Sequence, residues 1–392
     1  MRWQNHSAFA IQGQHKGGGA CIGKASLRPQ ALLILMLVLL FPLAESAEAP
    51  WRGVDLSYVN ELEDCGAVFR DKGAAADPYA IFAKAGANLV RLRLWHSPDW
   101  TSYSTLADVK KSMHRARQHG MRVLLDLHYS DDWAHPGKQI IPAAWREAES
   151  TRDLARLVYE YTTAVLDELD EAGLWPEYVQ VGNEINTELL LPEEVPEGTP
   201  INWQRNIALL NAGIRAVRES GNTKRSTPGI MIHIAQPENV EPWFDAALEN
   251  GLDEFELIGI SYYPKWSEMP FHNMRNALGH FRAKYRKEIV VVETAYPWTL
   301  AGMDAAANIL GEDSLVRGYP ASKDGQRRFM LELMAAVRGS GGLGVVYWEP
   351  AWISSTCSTR WGKGSHWENA ALFDYSDAEL HEGADFLRPG DE

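Results

Sequence analysis

The sequence predicts a single (β/α)8 TIM barrel. Eight short runs rich in β-branched and apolar residues recur along the chain, and amphipathic stretches lie between them. No Gly/Pro/Ser-rich linker divides the alternation, which argues for one barrel rather than two domains. A doubly wound sheet is the competing arrangement, but no run is followed by a dinucleotide-type glycine fingerprint. The 392 residues suffice for one such barrel, which needs about 250 or more.

In chain order, the first element is not part of the barrel. Ala31–Leu43 is an uncharged apolar run preceded by Arg2, Lys16, Lys24 and Arg28 and followed by small residues such as Ala44, Ser46 and Ala47. It is too short for a spanning helix, which needs about 20 residues, and fits the h-region of a secretory signal. Residues 1–49 therefore read as a signal peptide with a long n-region, cleaved between Ser46 and Pro50, and residues 50–392 as the barrel domain. The protein is expected to be exported, periplasmic or extracellular, with no membrane span in the mature chain. Cys21 leaves with the signal, and Cys65 and Cys357 remain as an even pair in an oxidising compartment.

The barrel strands read as Arg52–Tyr58, Leu89–Trp95, Arg122–Tyr129, Tyr178–Asn183, Ile230–Ala235, Leu257–Tyr262, Ile289–Thr294 and Gly344–Trp348. Their near-continuous apolar character is that of parallel strands covered by helices. Between them, Thr151–Ala172 starts behind a Ser150 cap and ends at Gly173, and Asn202–Ser220 and Lys323–Gly339 show the same helical period. The formal net charge is −14 and no Lys/Arg-rich run stands out, so nucleic acid is excluded as a partner. The 15 Trp outnumber both Phe and Tyr, more than core packing calls for, and suggest flat surfaces on which a ligand stacks.

In such a barrel the chemistry sits at the carboxyl ends of the strands. Those ends read Asp126-Leu127-His128-Tyr129, Gly182-Asn183-Glu184, Ser261-Tyr262-Tyr263, Glu293-Thr294 and Tyr347-Trp348-Glu349 on strands three, four, six, seven and eight. Glutamates at the tops of strands four and seven face each other across the barrel mouth. Either one alone is compatible with a helix cap or surface ion pair. Together they match the acid and the second carboxylate that glycosidic bond cleavage requires. Glu184 is the acid/base candidate and Glu293 the nucleophile candidate. A nearby arginine would hold Glu293 ionised while Glu184 keeps its proton; Arg93 is the expected cation, and Arg91 shares its parity.

Seven segments carry a more specific resemblance. Arg52–Ser57, Arg91–Trp95, Asp126–Ala134, Gln180–Asn186, Gly259–Pro264, Glu293–Pro297 and Trp348–Trp352 resemble, in order, the arabinogalactan endo-β-1,4-galactanases of glycoside hydrolase family 53. The resemblance spans the mature chain from Trp51 to about Phe386. The strand-three and strand-eight segments discriminate best, because the two glutamates are shared across the retaining barrel clan. It implies endo cleavage of β-1,4-galactan side chains of pectin with retention, Glu184 as acid/base and Glu293 as nucleophile. A retaining barrel hydrolase acting on mannan or glucan, and a non-catalytic glycan-binding barrel, are the alternatives.

Further positions are expected to line the cleft. Asn183 would bond the sugar 2-hydroxyl, Tyr262 would donate to the nucleophile, and Trp348 would form the floor under the reacting sugar. His128 and Tyr129 would line the same subsite, Arg93 and Asp55 would add polar contacts, and Trp95, Trp133 and Trp352 would extend the cleft. Many bacterial family members bind calcium after strand seven. Here Leu300–Asn308 offers one Asp, too few oxygens for a 6- to 8-coordinate ion, so neither metal nor cofactor is expected. Cys65 follows strand one and Cys357 follows strand eight; closure makes those strands neighbours, so the two are expected to form a disulfide on the same face. The partner is a polysaccharide, and the protein is expected to act as a monomer.

Overall fold

The computed structural model describes residues 49–223 and 226–390. Eight parallel strands close into a barrel: β1 Trp51–Asp55, β2 Leu89–Leu94, β3 Arg122–Leu127, β4 Tyr178–Val181, β5 Gly229–Ala235, β6 Leu257–Ser261, β7 Glu288–Thr294 and β8 Gly344–Tyr347. Strands adjacent in sequence are adjacent in space, and β8 returns to β1 with Trp51 opposite Gly344. Between the strands run α1 Pro78–Ala85, α2 Leu106–Gln118, α3 Thr151–Glu171, α4 Trp203–Thr223, α5 Val240–Glu249, α6 Met274–Tyr285 and α7 Lys323–Gly339. After β8 the covering element is a 3₁₀ helix, Glu382–Leu387.

The helices start where side chains can satisfy free backbone N–H groups. Ser150 Oγ accepts from Asp153 N–H at 3.2 Å ahead of α3, and Ser322 Oγ from Gly325 N–H at 2.9 Å ahead of α7. Asp77 caps α1, whose first residue is Pro78. α3 then buries Leu154, Val158, Val165, Leu166 and Leu169 along one stripe against the barrel.

Period-two alternation sorts each strand into two faces. Trp51, Leu89, Leu124, Met231, Leu257, Val290, Val292 and Val346 fill the barrel interior. Their neighbours Val54, Val90, Val123, Ile258, Ile260, Val291 and Val345 join the layer between barrel and helices. Gly259 belongs to the crowded interior: a Cβ there would lie 2.6 Å from Met231 Sδ.

Six of the eight sequence-based strands run past the real ones at their carboxyl ends, and those ending at Ala235 and Thr294 stop where expected. Hydrophobic pattern continues beyond the ladder, but the chain leaves it through left-handed residues: Tyr129 has φ 50°, Gly182 φ 83°, Glu184 φ 45° and Glu349 φ 47°. β7 carries a second irregularity. Val291 lies opposite Val345 and Thr294 opposite Tyr347, so β7 uses three steps where β8 uses two. The register with β6 shifts at the same place, between Ile260 and Ser261. Val292 faces the barrel interior by alternation from Val290, and the bulge turns the next side chain, Glu293, inward as well.

Cys65 and Cys357 form a disulfide with Cα atoms 5.2 Å apart, joining the segments after β1 and β8 across 292 residues. In the loop-entropy view such a closure stabilises by roughly 3–5 kcal/mol. The double variant Cys65→Ser/Cys357→Ser is expected to melt about 4–7 °C lower at the usual unfolding entropy per residue. Equal calorimetric midpoints for the two proteins would contradict that role. The leader expected over residues 1–49 lies outside the described residues except at Ala49. Among the described residues no helix is long and apolar enough to cross a membrane.

Candidate active site

One arginine organises the upper barrel. Arg91, inward-facing on β2, is about 1% exposed, and every one of its N–H groups meets an acceptor. Nη1 lies 2.9 Å from Asp55 Oδ2 and 2.7 Å from Glu293 Oε1. Nη2 lies 2.8 Å from Asp126 Oδ2 and 2.7 Å from Asn183 Oδ1, while Nε donates to Gln180 Oε1 at 3.2 Å. Four strands, β1, β3, β4 and β7, or the turns they lead into, therefore converge on one guanidinium carried by β2. Its rigid fork suits this, where an ammonium could hold only a fraction of the partners.

The carboxyl pair is asymmetric. Burial raises both Glu184 and Glu293 above the ordinary glutamate range. At Glu293 the Arg91 guanidinium opposes that rise, whereas Glu184, Asp126 and Asp55 add to it. Among the described residues Glu184 makes no contact ion pair; its Oε1 sits 2.6 Å from Ser261 Oγ. Both carboxyls thus stand well above the ordinary range, Glu184 at about 7 and Glu293 at about 8, and of the two it is Glu293 that touches Arg91.

Glu184 reaches this place through a turn that only certain backbones permit. Gly182 adopts φ 83°, and a Cβ there would lie 2.7 Å from Ile185 Cγ2. Gln139 Nε2 then donates to the Asn183 carbonyl at 2.8 Å, fixing the strained Asn183–Glu184 segment from the loop after β3.

The structure re-sorts several sequence expectations. Arg93 does not contact Glu293; its Nη1 faces Glu349 Oε1 at 3.5 Å, and its guanidinium lies over Trp133, Trp95 and Tyr58 at 4.0, 4.6 and 4.7 Å. The cation beside Glu293 is Arg91, two residues earlier on the same face. Asp55 is an ion-pair partner of Arg91, and its other oxygen accepts from Ser57 Oγ at 2.6 Å. Tyr129 points away from the mouth: its hydroxyl meets Thr162 Oγ1 on α3 at 2.8 Å. Tyr262 also points outward, stacking on Phe271 with its hydroxyl 3.5 Å from the Met269 carbonyl. Both have the wrong parity, since His128 and Ser261, their predecessors, face inward.

The tyrosine at the nucleophile candidate is Tyr263, whose hydroxyl donates to Glu293 Oε2 at 3.4 Å. Tyr263→Phe is expected to cost about tenfold in kcat, the effect of a long hydrogen bond to a carboxylate, whereas Tyr262→Phe should leave kcat unchanged. Steady-state kinetics that reversed this order would contradict the placement.

His128 is buried and neutral, with Nε2 against Asp126 Oδ2 at 3.0 Å and Nδ1 accepting from Ala134 N–H at 3.2 Å. Asn183 uses Oδ1 on Arg91 and Nδ2 on the Ala134 carbonyl at 2.9 Å. The indoles form a chain from the mouth outward. Trp348 meets Trp133 at 5.6 Å between ring centroids, and Trp133 meets Trp361 at 6.3 Å; all three keep part of their surface exposed. Trp95 and Trp352 are buried instead, Trp95 packing edge-on against Trp133 and Trp352 stacking on Tyr58. Trp266, after β6, is 47% exposed beside Tyr263 and was not singled out in the sequence.

The loop after β7 is tied to the loop after β8 by side chains. Asp304 Oδ1 accepts from Ala306 N–H at 2.7 Å and Oδ2 from Ser365 N–H at 2.8 Å. Among the described residues no group of three or more His, Cys, Asp or Glu side chains is placed to hold a metal ion.

Paired carboxyls in unlike environments, an indole floor and a barrel mouth match a hydrolase of glycosidic bonds, and comparison with known proteins decides the family. The sequence pattern of glycosyl hydrolase family 53 matches residues 51–382. The chain belongs to glycosyl hydrolase family 53. It is 51% identical over 323 residues to an arabinogalactan endo-β-1,4-galactanase of Cellvibrio japonicus, covering 82% of this chain and 86% of that one. The family 53 catalytic domain of Ignisphaera aggregans superposes with a TM-score of 0.78 at 33% identity, covering 86% of this chain and 95% of the other. A fungal β-1,4-galactanase structure superposes with a TM-score of 0.74 at 29% identity, covering 86% and 98%. As a family 53 member the protein is a glycosidase built on a closed eight-stranded barrel.

Proposed function

We propose that this family 53 enzyme is an exported endo-β-1,4-galactanase acting on galactan and arabinogalactan side chains of pectin by double displacement with retention. The observation that carries the mechanism is the Arg91–Glu293 contact at 2.7 Å beside a Glu184 that has no contact cation among the described residues. Glu184 protonates the glycosidic oxygen while Glu293 Oε attacks the anomeric carbon, forming a galactosyl ester and releasing the leaving chain. Glu184, now a carboxylate, takes a proton from water as that water displaces Glu293. Two inversions give net retention. Arg91 stabilises Glu293 as anion before attack and again as leaving group, so its hydrogen bonds serve both steps.

The galactan assignment rests on the similarity to the Cellvibrio enzyme. The aromatic chain Trp348–Trp133–Trp361 suits a polymer, since each indole offers a flat face to a pyranose ring. The apolar leader-like segment in residues 1–49 and the Cys65–Cys357 disulfide support export. Reducing-sugar release from unbranched galactan, galactomannan and β-glucan in parallel tests the substrate: the reading requires galactan to be cleaved fastest. Turnover of mannan or glucan alone would overturn it, and binding without release would make the barrel a lectin.

The acid role has its own signature. Glu184→Ala is expected to lower kcat on galactan by about 10³, within the usual range for general acid–base groups. Added azide should restore turnover of a dinitrophenyl β-galactobioside, giving a β-galactosyl azide. In the wild type the activity falls at low pH as Glu293 gains a proton and at high pH as Glu184 loses its own. Burial raises both, so the whole bell stands above the ordinary glutamate value. A Glu184→Ala variant with an unchanged basic limb would remove Glu184 from this role.

A further inference from the structure

Behind Glu184 lies a buried polar chain that the hydrolysis reading does not use. Ser261 Oγ, 2.6 Å from Glu184 Oε1, is 2.8 Å from His233 Nε2. His233 Nδ1 is in turn 2.9 Å from Asn183 Oδ1. Ser261 and His233 are fully buried, on β6 and β5, with Ser261 opposite Ala235 across that strand pair. We propose that His233 and Ser261 are positioning residues that hold the catalytic proton on Glu184, with the direction of every hydrogen bond in the chain set by Arg91. This deepens the reading of Glu184 as general acid and rests on it.

The direction follows from donor and acceptor inventories. Arg91 has no acceptor, so the Asn183 atom 2.7 Å from its Nη2 is the amide oxygen, and the Asn183 nitrogen turns to the Ala134 carbonyl. An oxygen already accepting from arginine can meet His233 Nδ1 at 2.9 Å only if that nitrogen carries a hydrogen. Gln180 Nε2 stands 3.1 Å from Nδ1, but its hydrogens have nearer acceptors in Asp126 Oδ1 at 2.6 Å and in the Gly182 carbonyl and Asn183 Oδ1, both at 3.0 Å. The Glu184 backbone N–H also points at Nδ1, but at the longer distance of 3.4 Å, and the shorter contact to Asn183 Oδ1 sets the tautomer. His233 is neutral, because burial first and then Arg91 and His128 disfavour its cation. Protonated on Nδ1, it presents a bare Nε2, which takes the Ser261 hydroxyl hydrogen.

With its hydrogen on His233, Ser261 offers Glu184 only a lone pair, the reverse of the donation it would make to a Glu184 carboxylate, which would lower that carboxyl's pKa. A carboxylic acid O–H satisfies that lone pair at 2.6 Å; a carboxylate would face it without a hydrogen between. A hydrogen bond to the neutral form favours the neutral form. The charged and titratable groups facing Glu184 are Arg91 from β2, Asp126 from β3, Glu197 from the loop after β4, His233 from β5, Tyr263 after β6 and Glu293 from β7. The Ser261–His233 arm touches Glu184 directly and has a polarity that can be reversed without altering a charge.

Two measurements on the intact enzyme test this. In ¹⁵N NMR of the wild type, His233 should show protonated Nδ1 and unprotonated Nε2 across neutral pH. The opposite tautomer would overturn the proposal. In Ser261→Ala the basic limb of kcat/KM on galactan should move down by about one pH unit, losing about tenfold in rate above neutrality. On a dinitrophenyl β-galactobioside, whose departure needs no acid, kcat/KM should stay within about twofold. A limb that moves up, or does not move, would mean that Ser261 donates to a Glu184 carboxylate or plays no part. Azide rescue of Glu184→Ala reads the acid role separately: if that rescue is absent, the hydrolysis reading fails and not only the relay.

Discussion

Replacing Glu293 with alanine is expected to lower kcat on β-1,4-galactan by on the order of 10⁵, about 7 kcal/mol of transition-state stabilisation. The variant lacks the proposed nucleophile, the carboxylate that the β7 bulge turns toward Arg91. KM should change little, because the part-exposed rings of Trp348, Trp133 and Trp361 remain. Folding should be retained, since Arg91 keeps Asp55 and Asp126, a net charge balance no worse than before. Azide should restore turnover of an activated galactoside but with inverted product, in contrast to the retained product of the Glu184 variant. Stopped assays by anion-exchange chromatography distinguish these outcomes. Hydrolysis of galactan surviving within tenfold would remove Glu293 from the chemistry.

The second large effect separates two arginines two residues apart. Arg91→Lys is expected to reduce kcat by about 10³, because a point charge cannot meet the five acceptors that the guanidinium holds. Deprived of that contact, Glu293 takes up a proton at higher pH, so the acid limb of the profile should also move upward. Arg93→Lys should instead leave the acid limb in place and cost less than about tenfold in kcat. Its guanidinium lies over the rings of Tyr58, Trp95 and Trp133, so the loss should register as a lower melting temperature. Parallel pH profiles and melts of the two variants decide the matter. An unshifted acid limb in Arg91→Lys would contradict the electrostatic argument.

The barrel was legible because parallel strands buried on both faces leave an unbroken apolar signal, and eight of these with helical patterns between them leave few architectures. The two carboxylates were legible too, since glutamate is out of place on an apolar strand. The choice between Arg91 and Arg93 was not, because both face inward and only height in the barrel separates them. Tyr129 and Tyr262 were misplaced for a different reason. Counting by twos from Leu124 through Asp126 reaches His128, and from Leu257 through Gly259 reaches Ser261 and Tyr263. Strict parity would have favoured Tyr263 and picked out His233 from Met231. The same rule would have turned Glu293 outward, since Val291 faces the helices and Val292 the interior. A bulge of one residue corrects it, and no residue in Val290-Val291-Val292-Glu293 announces a bulge.

The central claim is that Glu293 becomes covalently glycosylated while Glu184 supplies the proton. A 2-deoxy-2-fluoro-galactobioside with a dinitrophenyl leaving group slows the second step more than the first and should accumulate the intermediate. Peptide mapping of the inactivated enzyme by mass spectrometry should find one added fluoroglycosyl unit, on the peptide that contains Glu293. An adduct on a different carboxylate, or no adduct together with release of the α-anomer from galactan, would contradict the account.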